Sequence, residues 1–243
     1  MTDLVAIVTG GASGIGARTV AVLRRRGVEA IVLDRETAAV LAGTPAIMCD
    51  VTDDRAIAAA IDAVIERFGR LDIVVNNAGI GATGDVATNP IAEWQRVFDV
   101  NVFSMARVAA AALPHLRRSP SAAIVNLSSA VALVGVTQRA LYSASKGAVT
   151  ALTLAMAADH IAEGIRVNAV APGTTETPWV GRLLDQADDR DRAAASLRAR
   201  QPLGRLVRAD EVAAAVAYLA LPEAGSTTGT ILQVDGGMGS LRL

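Results

Sequence analysis

Lysine is nearly absent from this chain of 243 residues: of its 23 basic side chains, Lys146 is the single lysine. A sequence so biased toward arginine keeps lysine where a compact ammonium with three rotatable donors serves and a planar fork does not. Tyr142, one of two tyrosines, stands four residues earlier, a spacing that stacks both side chains on one face of a helix. An ammonium beside a phenol favours the phenolate, so the pair predicts a phenol drawn down from its usual ~10 toward neutrality, able to give and take a proton. Tyr218 sits in an apolar helical run with no lysine near it and is expected in the core.

A second group of residues could hold a dinucleotide. Thr9-Gly10-Gly11-Ala12-Ser13-Gly14-Ile15-Gly16 follows an apolar run and precedes a helical one. Glycines there permit a tight turn and let backbone amides approach a pyrophosphate at a helix N-terminus. Asp34, at the end of the next apolar run, could accept hydrogen bonds from both ribose hydroxyls, where a 2′-phosphate would meet like charge. Ser13 is neutral where a cation would favour a phosphate, so NAD is expected over NADP, with Arg35 as the competing cation. Asp50 and Val51 suit the adenine, and Asp50 could equally cap the following helix with Thr52 or Asp53. Asn76-Asn77-Ala78-Gly79 offers a small-residue turn against which a cofactor could lie.

Other chemistry is poorly supplied. One cysteine, Cys49, allows no intrachain disulfide and no cysteine-based metal cluster, and no metal is expected. His115 and His160 each end an apolar helical run rather than adjoin a serine on a sharp turn, against a Ser-His-Asp hydrolase. The net charge is −1, and Arg24, Arg25 and Arg26 form the one basic block, read as a solvated helix end, so no nucleic-acid partner is expected. Apolar runs are broken by charge, Gly or Pro before the roughly 18 residues of a span, and a strand begins near the start of the chain; a cytoplasmic protein without a membrane partner is the expectation.

The elements that must position these residues follow from the rhythm of the chain. Short β-rich runs at 5–9, 30–34, 46–50, 73–76, 123–127, 166–171 and 231–234 alternate with helical spacings at 14–26, 55–68, 91–116, 140–160 and 210–221. That predicts an α/β fold: one domain over 1–243, a seven-stranded parallel doubly wound sheet with helices on both faces. Helical runs 102–116 and 145–158 lack a polar stripe, so a second copy of the chain is expected to cover them. Segment 174–208, with Pro178, Trp179, Pro202 and a charge-dense stretch, reads as a mobile helical lid over the carboxyl ends of the strands.

Taken in order, TGGASGIG, NNAG, Asn101, Ser129, Tyr142-x-x-x-Lys146 and Pro172-Gly173 resemble the short-chain dehydrogenase/reductase family over essentially the whole chain. The resemblance implies a single Rossmann domain, usually a homotetramer, that moves a hydride between NAD and a carbon bearing an alcohol or ketone. It implies that Tyr142 exchanges the proton, with oxidised nicotinamide adding a second positive charge beside it. Ser129, thirteen residues earlier, would donate to the substrate oxygen; Lys146 would also hold the nicotinamide ribose; Asn101 would bind a water touching Lys146. Gly10, Ser13, Gly14, Ile15, Gly16, Asp34, Arg35, Asp50, Val51, Asn77, Ala78, Gly79, Pro172, Gly173 and Thr177 would line the cofactor. Ala132 departs from the glycine many members have there, a matter of pocket shape.

The substrate must be read from the pocket walls, expected at Ile80, Gly81, Ala82, Ala130, Val136, Gln138, Arg139, Thr174, Trp179 and Arg200. An arginine one turn from the reacting phenol is costly unless it meets an anion. QRALYSASK and RARQPLGR resemble members acting on 3-hydroxybutyrate and deoxy sugar acids, which implies that Arg139 and Arg200 hold a carboxylate. The expected substrate is therefore a small hydroxy acid or sugar acid. Rival readings are an NADPH-dependent 3-oxoacyl-carrier-protein reductase, against which Ser13 speaks, and a non-catalytic dinucleotide sensor, against which Tyr142 and Lys146 speak. Pairing of Arg139 with a surface carboxylate is the alternative to a substrate role.

Overall fold

The first strand, VAIVT, has no polar alternation, and all five of its residues are buried, as a strand covered on both faces requires. In the computed structural model, which describes residues 4–242, this is β1 (Val5–Thr9). It is followed by α1 (Gly14–Arg25), β2 (Glu29–Asp34), β3 (Ala46–Met48), α2 (Asp54–Phe68) and β4 (Ile73–Asn76). Next come α3 (Ile91–Phe98), a π-helical turn (Asp99–Phe103), α4 (Ser104–Leu116), β5 (Ala123–Leu127) and α5 (Ala140–His160). The remainder is β6 (Arg166–Pro172), β7 (Thr175–Glu176), α6 (Pro178–Asp185), α7 (Arg190–Ala199), β8 (Val207–Arg208), α8 (Ala209–Ala220) and β9 (Ile231–Val234).

Seven strands form one parallel sheet in the order β3-β2-β1-β4-β5-β6-β9. Strand pleating sends alternate residues to opposite faces. Ala6 and Val8 of β1 join a core with Val20 and Leu23 of α1 and Val212 and Val216 of α8. Val5 and Ile7 join the other core, with Ile61 and Val64 of α2, Val108 of α4 and Met156 of α5. The order reverses between β1 and β4, and the crevice at the carboxyl ends of these two strands is where open α/β sheets bind ligands. At the opposite end the fully buried Asp72 accepts from the Val5 amide, the Arg70 guanidinium and the Ser119 hydroxyl, tying β4 to β1 and to the turn before β5.

Two expectations need correction. The third strand stops at Met48, so Asp50 lies in the turn beyond it; its Oδ1 accepts from the amide and hydroxyl of Thr52, while Asp53 caps α2. The run Ile91–Leu116 is helical for 26 residues and is the one stretch among the described residues long and apolar enough to span a bilayer, although Glu93, Arg96, Asp99 and Arg107 interrupt it. It folds instead with Val97, Met105 and Val108 packed inside. Tyr218 is not core: it is 44% exposed on the outer side of α8.

Candidate active site

Each reactive side chain leaves the end of a core element. Ser128 and Ser129 follow β5; the Ser128 hydroxyl turns back to the Lys146 carbonyl and to Thr150, fixing α5 against the sheet. Ser129 turns the other way and lines a cavity of about 410 Å³, with its Oγ accepting from the Val131 amide. Tyr142 and Lys146, one turn apart on α5, line the same cavity. The Lys146 ammonium donates to the Leu127 carbonyl at 2.7 Å and lies 5.9 Å from the centre of the Tyr142 ring.

Electrostatics here differ from the sequence expectation. Burial pushes the Tyr142 phenol up, against the opposing effects of a hydrogen bond with Ser129 and the charge of Arg139. Burial also pulls Lys146 down to about 8. In the protein alone, then, Ser129 and Arg139 act to acidify the phenol, and desolvation outweighs both. Asn101 lies beside the same group of residues. Its carboxamide is fully buried in the π-helical turn, accepts from the Ile80 amide and donates to the Ile80 carbonyl and the Ser145 hydroxyl. Those bonds fasten the loop after β4 to α5.

The nucleotide residues gather at the crevice. Gly10 and Gly14 have φ of +63° and +53°, a left-handed backbone that favours glycine. A Cβ on Gly16 would lie 2.2 Å from the Gly10 carbonyl oxygen, so only glycine allows α1 to begin this close to the turn. Ser13 occupies the N-cap of α1 without a capping bond, which leaves its hydroxyl to the crevice. Asn77 holds the turn in place by donating to the Thr9 and Gly10 carbonyls. The Asp34 carboxylate is fixed by the Ala12 and Glu36 amides.

A second cavity, of about 530 Å³, is lined by Gly10, Ser13, Gly14, Asp34, Arg35, Asp50, Val51 and Ala78. It shares Ser13, Ile15, Asn77, Gly79 and Thr177 with the first, giving a channel from Asp34 to Tyr142. That length, the helix N-terminus and the fixed carboxylate fit a dinucleotide. Pro172 and Gly173 end β6 on the wall of the first cavity, and Thr177 caps α6.

Arg139 is placed by a local device. Gln138 adopts a left-handed φ of +57°, and the Gly84 amide donates to its carbonyl while the Ala140 amide returns to the Gly84 carbonyl. So pinned, Arg139 is 9% exposed and lines the first cavity with Arg200, whose charge lowers the Arg139 pKa after burial has done so. Ile80, Gly81, Ala130, Thr174 and Trp179 are there too, whereas Ala82, Val136 and Gln138 stand off it. The sequence reading missed Arg182, Leu183, Leu197 and Met238, which complete that cavity from α6, α7 and the segment after β9. Helical spacing in 178–185 was a usable signal for the first two; nothing local foretells Met238.

Residues 10–239 match the family described as Enoyl-(Acyl carrier protein) reductase. Cis-4-hydroxycyclohexanecarboxylate dehydrogenase of Sinomonas cyclohexanicum is 43% identical over 97% of this chain and 96% of its own. L-fucose dehydrogenase of Bos taurus is 39% identical over 96% and 88%. The chain belongs to the short-chain dehydrogenase/reductase family. As a member it is an oxidoreductase of CH–OH groups that uses a nicotinamide dinucleotide. Among solved members, the ligand-free aldohexose dehydrogenase of Thermoplasma acidophilum superposes with a TM-score of 0.93 at 35% identity, covering 99% of this chain and 95% of that one. Within this short-chain dehydrogenase, the parallel sheet and the crevice at its switch point are thus those of the family fold.

Proposed function

We propose that this dehydrogenase interconverts a secondary alcohol and a ketone on a small anionic hydroxy acid, with NAD as its redox partner. The observation that carries the substrate reading is Arg139. Its Nη1 donates to the Ala82 carbonyl and the Thr83 hydroxyl, and among the described residues it meets no carboxylate. A buried guanidinium beside a second cation, Arg200, is costly unless an anion joins them. The relative from Sinomonas cyclohexanicum is named for a substrate with a carboxylate and a ring hydroxyl, which supports this reading. A neutral sugar is the second reading, favoured by the names of the Bos taurus and Thermoplasma acidophilum proteins.

When bound, the nicotinamide supplies hydride-transfer chemistry. Tyr142 holds the proton exchanged with the substrate oxygen, and Ser129 donates a hydrogen bond that steadies charge developing there. Lys146 keeps a positive charge near the phenol, and Asn101 acts as a positioning residue through Ile80 and Ser145. NAD is preferred because the Asp34 carboxylate would repel a 2′-phosphate, while the charge of Arg35 acts on Asp50. Segment 174–208 serves as the lid, residues 1–243 act as one domain, and copies associate through α4 and α5.

Arg139→Ala tests the reading. Loss of a charge-assisted contact should lower kcat/KM for hydroxy acids by about 30-fold and leave neutral sugars and alcohols within about threefold. Equal losses on both classes would remove the acid assignment. Fluorescence titration with NADH and NADPH decides the cofactor, and tighter binding of NADPH would overturn NAD.

A further inference from the structure

Arg182 is one of eight residues that line both cavities. It stands on α6, four residues after Pro178 and three after Trp179, so the three share the helix face turned to the crevice. The start of α6 rests on the glycine-rich turn: a Cβ placed on Gly14 would be 3.5 Å from the Thr177 methyl and 3.9 Å from Pro178. Trp179 lies against Gly81, where an added Cβ would come within 2.3 Å of the indole. The exposed side chain of Arg182 has no ion pair or hydrogen bond among the described residues, and the acid nearest it on α6, Asp185, is engaged by Arg190 at 3.5 Å. An unpaired guanidinium therefore faces the place where the α1 N-terminus, the Ser13 hydroxyl and the turn amides favour an anion.

Resting on the dinucleotide reading, we propose that Arg182 pairs with the diphosphate of the bound cofactor and latches α6 across the crevice. The same helix carries Trp179, which rests against Gly81 in the wall of the substrate cavity, so pairing at Arg182 ties the diphosphate to that wall. The charge-assisted contact is made by a residue of the lid, not of the sheet, which distinguishes it from the backbone amides of the turn.

The test uses ADP and adenosine, which differ in the diphosphate alone. In the whole protein, Arg182→Ala should weaken ADP about tenfold by calorimetry and leave adenosine within about twofold; Arg182→Lys should recover part of the loss. In a Trp94→Phe background Trp179 is the single tryptophan, and its emission should shift when ADP is added to protein with Arg182 and stay constant in Arg182→Ala. Equal losses for ADP and adenosine, or unchanged ADP affinity with weakened hydroxy-acid binding, would overturn the latch, the second by placing Arg182 in the substrate cradle. A parent protein that bound neither ADP nor NADH would defeat the dinucleotide reading itself.

Discussion

Lys146 is 4% exposed, and burial brings its ammonium from an ordinary 10.5 down to about 8. Below pH 8 the folded chain holds a charged, poorly solvated amine, a cost that fades as pH rises from 8 to 10.5, because the unfolded chain then keeps the proton that the folded chain has lost. That displacement corresponds to about 3 kcal/mol, from which the lost bond to the Leu127 carbonyl takes back about 1 kcal/mol. Lys146→Met should therefore abolish turnover while stabilising the cofactor-free protein by about 2 kcal/mol at pH 7. The gain should shrink toward pH 10.5, and denaturant melts at pH 7 and pH 10 check it; a pH-independent difference would show that the amine is not the cause. Spacing alone placed Tyr142 above Lys146, but the direction in which each titrates depends on how much water the fold leaves them. Cys49 shows the same limit: buried beside Asp50 and Asp53, its thiol is pushed up to about 11, although it touches the nucleotide cavity.

Among the elements, α8 ends by an unexpected means. Arg166, at the start of β6, donates to the carbonyls of Leu219, Ala220 and Leu221, and the last of these also accepts from the Ala224 amide. Arg166→Met would keep the apolar stem and leave the Leu219 and Ala220 carbonyls without this donor. A loss of about 3 kcal/mol is expected, read as a lower midpoint in urea with unchanged slope; a shift under about 0.5 kcal/mol would mean water replaces the guanidinium. A sequence reader sees Arg166 only as the polar start of a strand. Likewise the strands themselves were legible from β-branched runs, while β7 and β8, two residues each, were not. They pair Thr175 with Val207 and Glu176 with Arg208, bringing the entry and exit of segment 174–208 together. A pair that short is stable only because the rest of the fold supplies the closure.

At the scale of the whole molecule, α4 and α5 leave apolar surface uncovered. Phe103, Leu154 and Ile161 are each about half exposed, and Ala106, Ala110, Ala144, Ala151 and Ala155 are exposed around them. Contiguous apolar surface of this kind marks an association site, and small side chains let helices approach closely. Light scattering should report four chains per particle, and Leu154→Arg, which sets a charge in the middle of the patch, should shift the mass toward dimer or monomer. A monomer for the parent protein would remove the interface.

Local signals alone determined the sheet strands, the phosphate turn, the acid at residue 34 and the tyrosine–lysine pair. These depend on backbone geometry and on neighbours within a turn or two of chain. Tertiary structure decided the rest: the burial that sets the titration of Tyr142, the fastening of Ile80 by Asn101, the cradle that joins Arg139 to Arg200, and the reach of Arg182 across the crevice. Desolvation and pairing of charge belong to whichever residues the fold brings together, and separation along the chain carries no record of them.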